Sequence, residues 1–308
     1  MAPMSLLTRR TVLTSASVTL LGCTVKSATP TGREVSRVLP AMPTSDGAGV
    51  RLNRALGHRD LSMLDPFLLL DEFHTENPND YLAGFPEHPH RGFETVTYMI
   101  HGAMEHRDVL GNQGRLGPGS AQWMTAGKGI IHSEMPKQER GLMWGFQLWV
   151  NLPKSRKLIP PRYQDISADR IPEAIVDGSR VRVVAGTAFE KTGPINGIDI
   201  EPTFIDVALG KGSRVVQPVP AGHTAFAFVT EGTARLGASR REVQKGHLAI
   251  LEKGTSVELF GEGEGGRVLL LAGRPFAEPV ARAGPFVMNT EDELRQAFDD
   301  YRNGRLLL

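Results

Sequence analysis

Apolar residues in this chain fall in short runs separated by glycine, proline and small polar clusters. Residues 64–73, Leu64-Asp-Pro-Phe-Leu-Leu-Leu-Asp-Glu-Phe73, hold a continuous apolar run after a proline, the pattern of a buried strand. Residues 74–84, with Asn77-Pro78-Asn79-Asp80, are polar and read as a loop. Residues 94–102 alternate as a strand and end at Gly102, and turns follow at 110–114 and 116–119. Further short strands are read at 122–127, 129–134 and 145–151, and 160–172 reads as a crossing between units. Strand character resumes at 181–185, 203–209, 224–229, 246–251, 256–260 and 267–272. Short strands at roughly ten-residue spacing between Gly and Pro turns predict an all-β chain, an antiparallel sandwich or barrel. One helix is predicted, over 291–301, with Thr290 as its N-cap and acids in its first turn.

The two series of strands form a weak repeat. Residues 95–102 compare with 224–232, each an apolar strand ending at glycine, and Leu116-Gly-Pro-Gly119 compares with Lys245-Gly246. Composition agrees with two packed units: 308 residues, 40% hydrophobic, with 34 glycines and 21 prolines scattered among many turns. A net charge of +1 without a basic stripe gives no support to nucleic-acid binding. A single cysteine, Cys23, excludes an intramolecular disulfide.

The first residues read as an address. Thr8-Arg9-Arg10-Thr11-Val12-Leu13 resembles a twin-arginine export signal, and an apolar, small-residue run from Val12 to Gly22 is too short to span a bilayer. Leu20-Leu21-Gly22-Cys23 resembles a lipoprotein cleavage box. On this reading residues 1–23 are an export signal with its lipobox ending at Cys23, and 24–34 a small-residue tether. The body is then held outside the cytoplasm, at a periplasmic or cell-surface membrane face, only through a lipid on Cys23.

The chemistry concentrates in His88-Pro-His90-Arg-Gly-Phe-Glu94 and His132-Ser-Glu134. Residues i and i+2 of a strand face the same side, so each run aims two side chains into one space. Imidazoles with a carboxylate suit a divalent transition metal, and the lack of thiolates argues against a structural zinc site. Glu94, four residues after His90, could also reach inward; His101 and His106 flank a turn and read as surface residues. The second series carries Gln217-Pro-Val-Pro220 where the first has its histidines, so only one metal site is expected.

His88 to Tyr98 resembles the first cupin motif. The stretches 64–73, 88–98, 122–136, 147–152 and 284–290 together resemble the pirin family, from about Val35 to the terminal helix. The resemblance implies a bicupin: a metal-binding barrel over 35–165, and over 166–308 a second barrel without ligands plus the short C-terminal helix. Carried over residue by residue, it implies His88, His90, His132 and Glu134 as metal ligands, with Glu94 supporting them from behind. Gln122 stands where the general second cupin motif has a histidine, which follows the pirin pattern. Iron(II) is the first expectation for the metal, with manganese, nickel, copper, cobalt and zinc as the others.

Bacterial members are similar to quercetin 2,3-dioxygenases, which open the central ring of a flavonol with dioxygen. The resemblance therefore implies an oxidoreductase whose partners are dioxygen and a flavonol-like molecule, with Glu134 as the base that removes the substrate proton. Two other readings stand beside it: a non-enzymatic, iron-binding redox sensor that binds a partner, and a cupin oxygenase or isomerase acting on another small phenolic or enolic molecule. A monomer is expected.

Overall fold

The computed structural model describes residues 31–308; the expected export signal, Cys23 and most of the tether lie outside the described residues. As the strand pattern predicts, the described chain is built of antiparallel strands with one α-helix, Glu291–Arg302. A seven-stranded sheet runs in the order Arg162–Ile166, Ala121–Thr125, Phe93–His101, Met143–Asn151, Phe67–Thr75, Val50–Leu56, Met42–Asp46. A four-stranded sheet, in the order Phe85–His90, Ile130–Pro136, Met104–Asp108, Gln113–Leu116, completes the first barrel. The second barrel is a single nine-stranded sheet centred on two long strands, Thr224–Leu236 and Ser256–Gly273.

Alternation along the strands decides what each face meets. In Phe93–His101, Val96, Tyr98 and Ile100 point out of the first barrel, and in Thr224–Leu236, Phe226 and Phe228 point out of the second. These faces meet in the largest apolar cluster of the molecule, with Trp123, Trp144, Phe146, Phe204, Leu269 and Leu271. Two sheets apolar on their outer as well as inner faces can hide both only by stacking. A buried polar network runs through the joint. The Tyr98 hydroxyl donates to Asp206 Oδ2 (2.7 Å) and accepts from Arg182 Nη1 (2.9 Å), and Arg267 grips Asp206 through Nε and Nη2 (2.8 and 2.6 Å).

The structure departs from the sequence reading in several places. Arg162–Ile166, inside the stretch 160–172 read as a crossing between units, is an edge strand of the seven-stranded sheet, paired with Ala121–Thr125. Residues 256–260 and 267–272, read as two strands, form one strand, Ser256–Gly273, whose glycine-rich middle lets it bend through two pairings. Gln113–Leu116, read as turn, is a short strand paired with Met104–Asp108. The 74–84 loop keeps Thr75 at its preceding strand's end and holds a short 3-10 turn, Pro78–Asp80, capped by the Asn77 side chain. Val35–Pro40, placed with the first barrel by a boundary at residue 35, pairs with His247–Leu251 of the second.

The chain's end makes the reverse crossing. A hairpin of Ala281–Ala283 and Phe286–Met288 carries the helix against the first barrel, burying Phe286, Leu294, Ala297 and Leu306 with Ile131 packed on them. The helix starts as predicted: the Thr290 hydroxyl accepts from the Glu293 amide, and the Glu293 carboxylate accepts from the Thr290 amide.

Candidate metal centre

Phe85–His90 and Ile130–Pro136 are antiparallel neighbours in which His88 lies opposite His132. That pairing, with the i, i+2 spacing of His88 and His90, brings three imidazoles to one point inside the barrel. One ring nitrogen from each of His88, His90 and His132 lies within 4.8 Å of the others. Ring centroids are 4.7 Å apart for His88 and His90, 4.5 Å for His88 and His132, and 5.1 Å for His90 and His132.

Backbone carbonyls set the tautomers. His88 Nδ1–H donates to Pro86 O (2.8 Å), and His90 Nδ1–H donates, over a longer 3.4 Å, to Pro285 O of the C-terminal hairpin. Both Nε2 lone pairs then face each other across 3.0 Å, an arrangement that a shared cation stabilises and two bare acceptors do not. Both ring nitrogens of His132 are buried without a hydrogen-bond partner, a costly state for a side chain with no ligand to bind. Burial, and then the charge of His88, holds His90 well below the ordinary imidazole pKa; burial, then His90 and His88, does the same for His132. Neutral imidazoles are the form that binds metal. The residues present fit a divalent transition metal.

Glu134 follows His132 by two residues and lines the same cavity, but its carboxylate is not drawn into the histidine cluster. Instead Gln147 Nε2 donates to Glu134 Oε2 (2.8 Å), and the Thr97 hydroxyl lies 2.9 Å from Glu134 Oε1 and 2.8 Å from Gln147 Oε1. With one proton, that hydroxyl serves only one of the two acceptors. Thr97 and Gln147 are direct cross-strand partners on the inward face.

Glu94 does not stand behind the histidines. It shares its strand face with Val96 and Tyr98, toward the joint between barrels, where the Thr125 hydroxyl donates to its Oε1 (2.7 Å). Burial pushes its pKa up, to about 7. His106, read as a surface residue, is buried: its strand lies between two others, and its Nε2–H donates to Asp165 Oδ2 (3.2 Å) while Gln122 Nε2 donates to Oδ1 (2.8 Å). His101 is exposed, as expected.

The second half of the chain clamps the ligand strand. Lys157, buried, donates to Gly92 O (2.8 Å), Asn151 Oδ1 (2.8 Å) and Val287 O (3.0 Å); burial pushes its pKa down, to about 7, against the opposing charges of Glu278 and Glu293. Arg91 donates to Asp300 Oδ2 (2.7 Å), Leu306 O (3.1 Å) and Lys128 O. Gly92 is required here, because with φ +87° a Cβ would lie 2.0 Å from Val287 O.

The histidines open on a cavity of about 940 Å³, whose wall includes His88, His90, Glu134 and Gln147 together with Phe85 and Trp149. Trp149 packs edge-on against His90 (ring centroids 5.3 Å) and at a tilt against Phe93 (4.4 Å). Alternation alone marks Thr97 and Gln147 as inward. Pro285 and Lys157, which hold His90 and its strand from distant segments, carry no local signal.

The family described as Pirin matches residues 49–150, and the Pirin C-terminal cupin domain matches residues 204–307. A Pseudomonas aeruginosa protein, provisionally named a quercetin 2,3-dioxygenase, is 48% identical over 280 residues, covering 89% of this chain and 98% of its own. The crystal structure of a quercetin 2,3-dioxygenase from Acinetobacter baumannii superposes with a TM-score of 0.82 at 33% identity, covering 90% of this chain and 99% of that one. A bacterial pirin of Escherichia coli, solved with nickel(II), shares the fold at 19% identity and a TM-score of 0.61, covering 78% of this chain and 99% of that one. Two family domains in tandem, on a pair of barrels with one histidine centre among the described residues, show that this chain belongs to the pirin family.

Proposed function

We propose that this protein is a metal-dependent dioxygenase that opens the central ring of flavonol-like molecules, with His88, His90, His132 and Glu134 as metal ligands and Glu134 also as the base. The observation that carries the reading is the cavity of about 940 Å³ with His88, His90 and Glu134 in its wall, a size suited to a flat molecule of two or three rings. A divalent ion bound there, iron(II) foremost, supplies Lewis acidity that lowers the pKa of a flavonol hydroxyl and gives redox access to dioxygen.

The chain's own residues supply position and a proton acceptor. Pro86 and Pro285 carbonyls fix the imidazoles so that Nε2 is the donor atom. Phe85 and Trp149 form flat apolar wall that orients an aromatic ring and keeps bulk water off it. Glu134 takes the hydroxyl proton, and Thr97 and Gln147 hold its carboxylate ready on the cavity side. The export signal at Arg9-Arg10 and the lipobox at Cys23 would place this chemistry on small molecules outside the cytoplasm.

Glu134→Gln tests the assignment. Bleaching of quercetin by the metal-loaded variant is expected to fall about a hundredfold or more below wild type, with carbon monoxide release falling in step. Wild-type bleaching by a variant that keeps its metal would end the role of Glu134 as base, and no bleaching by the wild-type protein with any of the metals named would end the dioxygenase reading.

A further inference from the structure

Three arginines line the cavity, and two are already neutralised. Arg54 is gripped by Asp71 through Nε and Nη2 (2.8 and 2.7 Å) and reaches Asp46 (3.0 Å); Arg59, mostly in solvent, pairs with Asp60 (3.2 Å). Arg282, from the C-terminal hairpin, differs. Among the described residues no carboxylate lies within ion-pairing distance of it, and of its five N–H groups one is committed, Nη1 donating to Leu68 O (2.8 Å). Its guanidinium carbon sits 4.8 Å from the Trp149 ring, a contact that steadies the cation and leaves the in-plane N–H groups free to bind. Burial, and then the nearby Arg54 charge, pushes its pKa below the ordinary arginine value; the more distant charges of Asp71 and Asp46, which are spent on Arg54, offset this only in part, so a directly bound anion would relieve it. Trp149 lies 5.3 Å from the His90 ring and 4.8 Å from the guanidinium carbon, which bounds the span from histidine to cation at about 10 Å. An aromatic skeleton of two or three rings covers that span.

We propose that Arg282 is a specificity-determining residue that binds a carboxylate, so that the preferred substrates are aromatic acids with an enolic or phenolic oxygen at the histidines and a carboxylate at the other end. This rests on the reading of the histidine centre as the reacting end of the cavity. The carboxylate meets a planar fork that can take it with two parallel hydrogen bonds, in a site walled by Trp149 and Phe85 where such bonds gain strength. The same residue leaves uncharged flavonols a looser fit, held by the ring walls alone.

The test uses anaerobic, metal-loaded protein and calorimetric titration with 6-hydroxy-2-naphthoate and with 2-naphthol, on wild type, Arg282→Met and Arg282→Lys. Methionine keeps an apolar stem on Trp149, and retained metal content checks that each variant is folded. Wild type is expected to prefer the naphthoate about tenfold or more, with the preference falling as salt is raised. Arg282→Met should bind the two alike without change in 2-naphthol affinity, and Arg282→Lys should keep part of the preference, having charge without the fork. Equal binding by wild type, or a preference that survives in Arg282→Met, overturns the proposal. A second arm compares 3-hydroxyflavone with its 4′-carboxylate. If neither flavonol binds while the naphthoate preference depends on Arg282, the cation site stands and the flavonol reading falls.

Discussion

The two barrels share strand order and face parity but differ in what the inward positions hold. In the second, Val181, Val183, Ile205, Val207, Ala227, Val229, Leu259 and Leu270 all point in and close on one another. In the first, the far end is packed by Leu52, Phe73, Met99 and Met104, and the open end is given to Thr97, Gln147, Glu134 and the histidines. At the place of His88 and His90 the second barrel has Gln217, whose side-chain amide donates to Thr187 O and Pro218 O and so is spent on backbone. A barrel becomes a site only where inward positions give up burial for polar groups that hold one another. The closed second barrel serves the first: its outer face covers the first sheet, and residues beyond it supply Pro285 and Arg282.

The joint should be the costliest place to break. Asp206→Ala leaves Arg267 and Tyr98 buried without their shared acceptor, and about 3–5 kcal/mol of stability should be lost in denaturant titration. A cost within the range of a surface substitution would mean the barrels are held by the apolar cluster alone.

The interiors can be set against each other directly. Leu270→Ala in the second barrel should cost roughly 3 kcal/mol as a core cavity, whereas Thr97→Val in the first should change stability by less than about 1 kcal/mol while weakening metal binding roughly tenfold or more. Metal affinity untouched by Thr97→Val would show that Glu134 needs no support to reach the ion.

A further effect concerns pH. Glu94, buried at the joint, has a folded-state pKa raised to about 7, so the folded chain binds more protons than the unfolded one between the ordinary glutamate value and pH 7. Stability should therefore fall as pH rises through that window, by roughly 3 kcal/mol, and Glu94→Gln should flatten the slope. An unchanged slope in Glu94→Gln would assign the pH dependence elsewhere.

Much of this was legible in the chain. Alternation located the strands, and i, i+2 spacing placed His88 with His90 and His132 with Glu134, because those rules depend only on neighbours in sequence. What escaped depends on long-range pairing. His106 looked like a residue beside a turn until its strand gained partners on both sides. Glu94 sat at attractive spacing from His90, yet between them the chain turns at Gly92 and Glu94 falls on the outward face. Val35–Pro40 crosses to the second barrel, and residues 281–288 cross back to the first, without any local mark of either destination.

The first barrel is expected to bind metal and the second is not. Elemental analysis of the purified protein by plasma mass spectrometry tests this most directly, on wild type, His132→Ala and His223→Ala, the last being a buried histidine of the second barrel. One transition metal per chain is expected in wild type and in His223→Ala, and none in His132→Ala. Two metals per chain, or metal retained by His132→Ala, would contradict it.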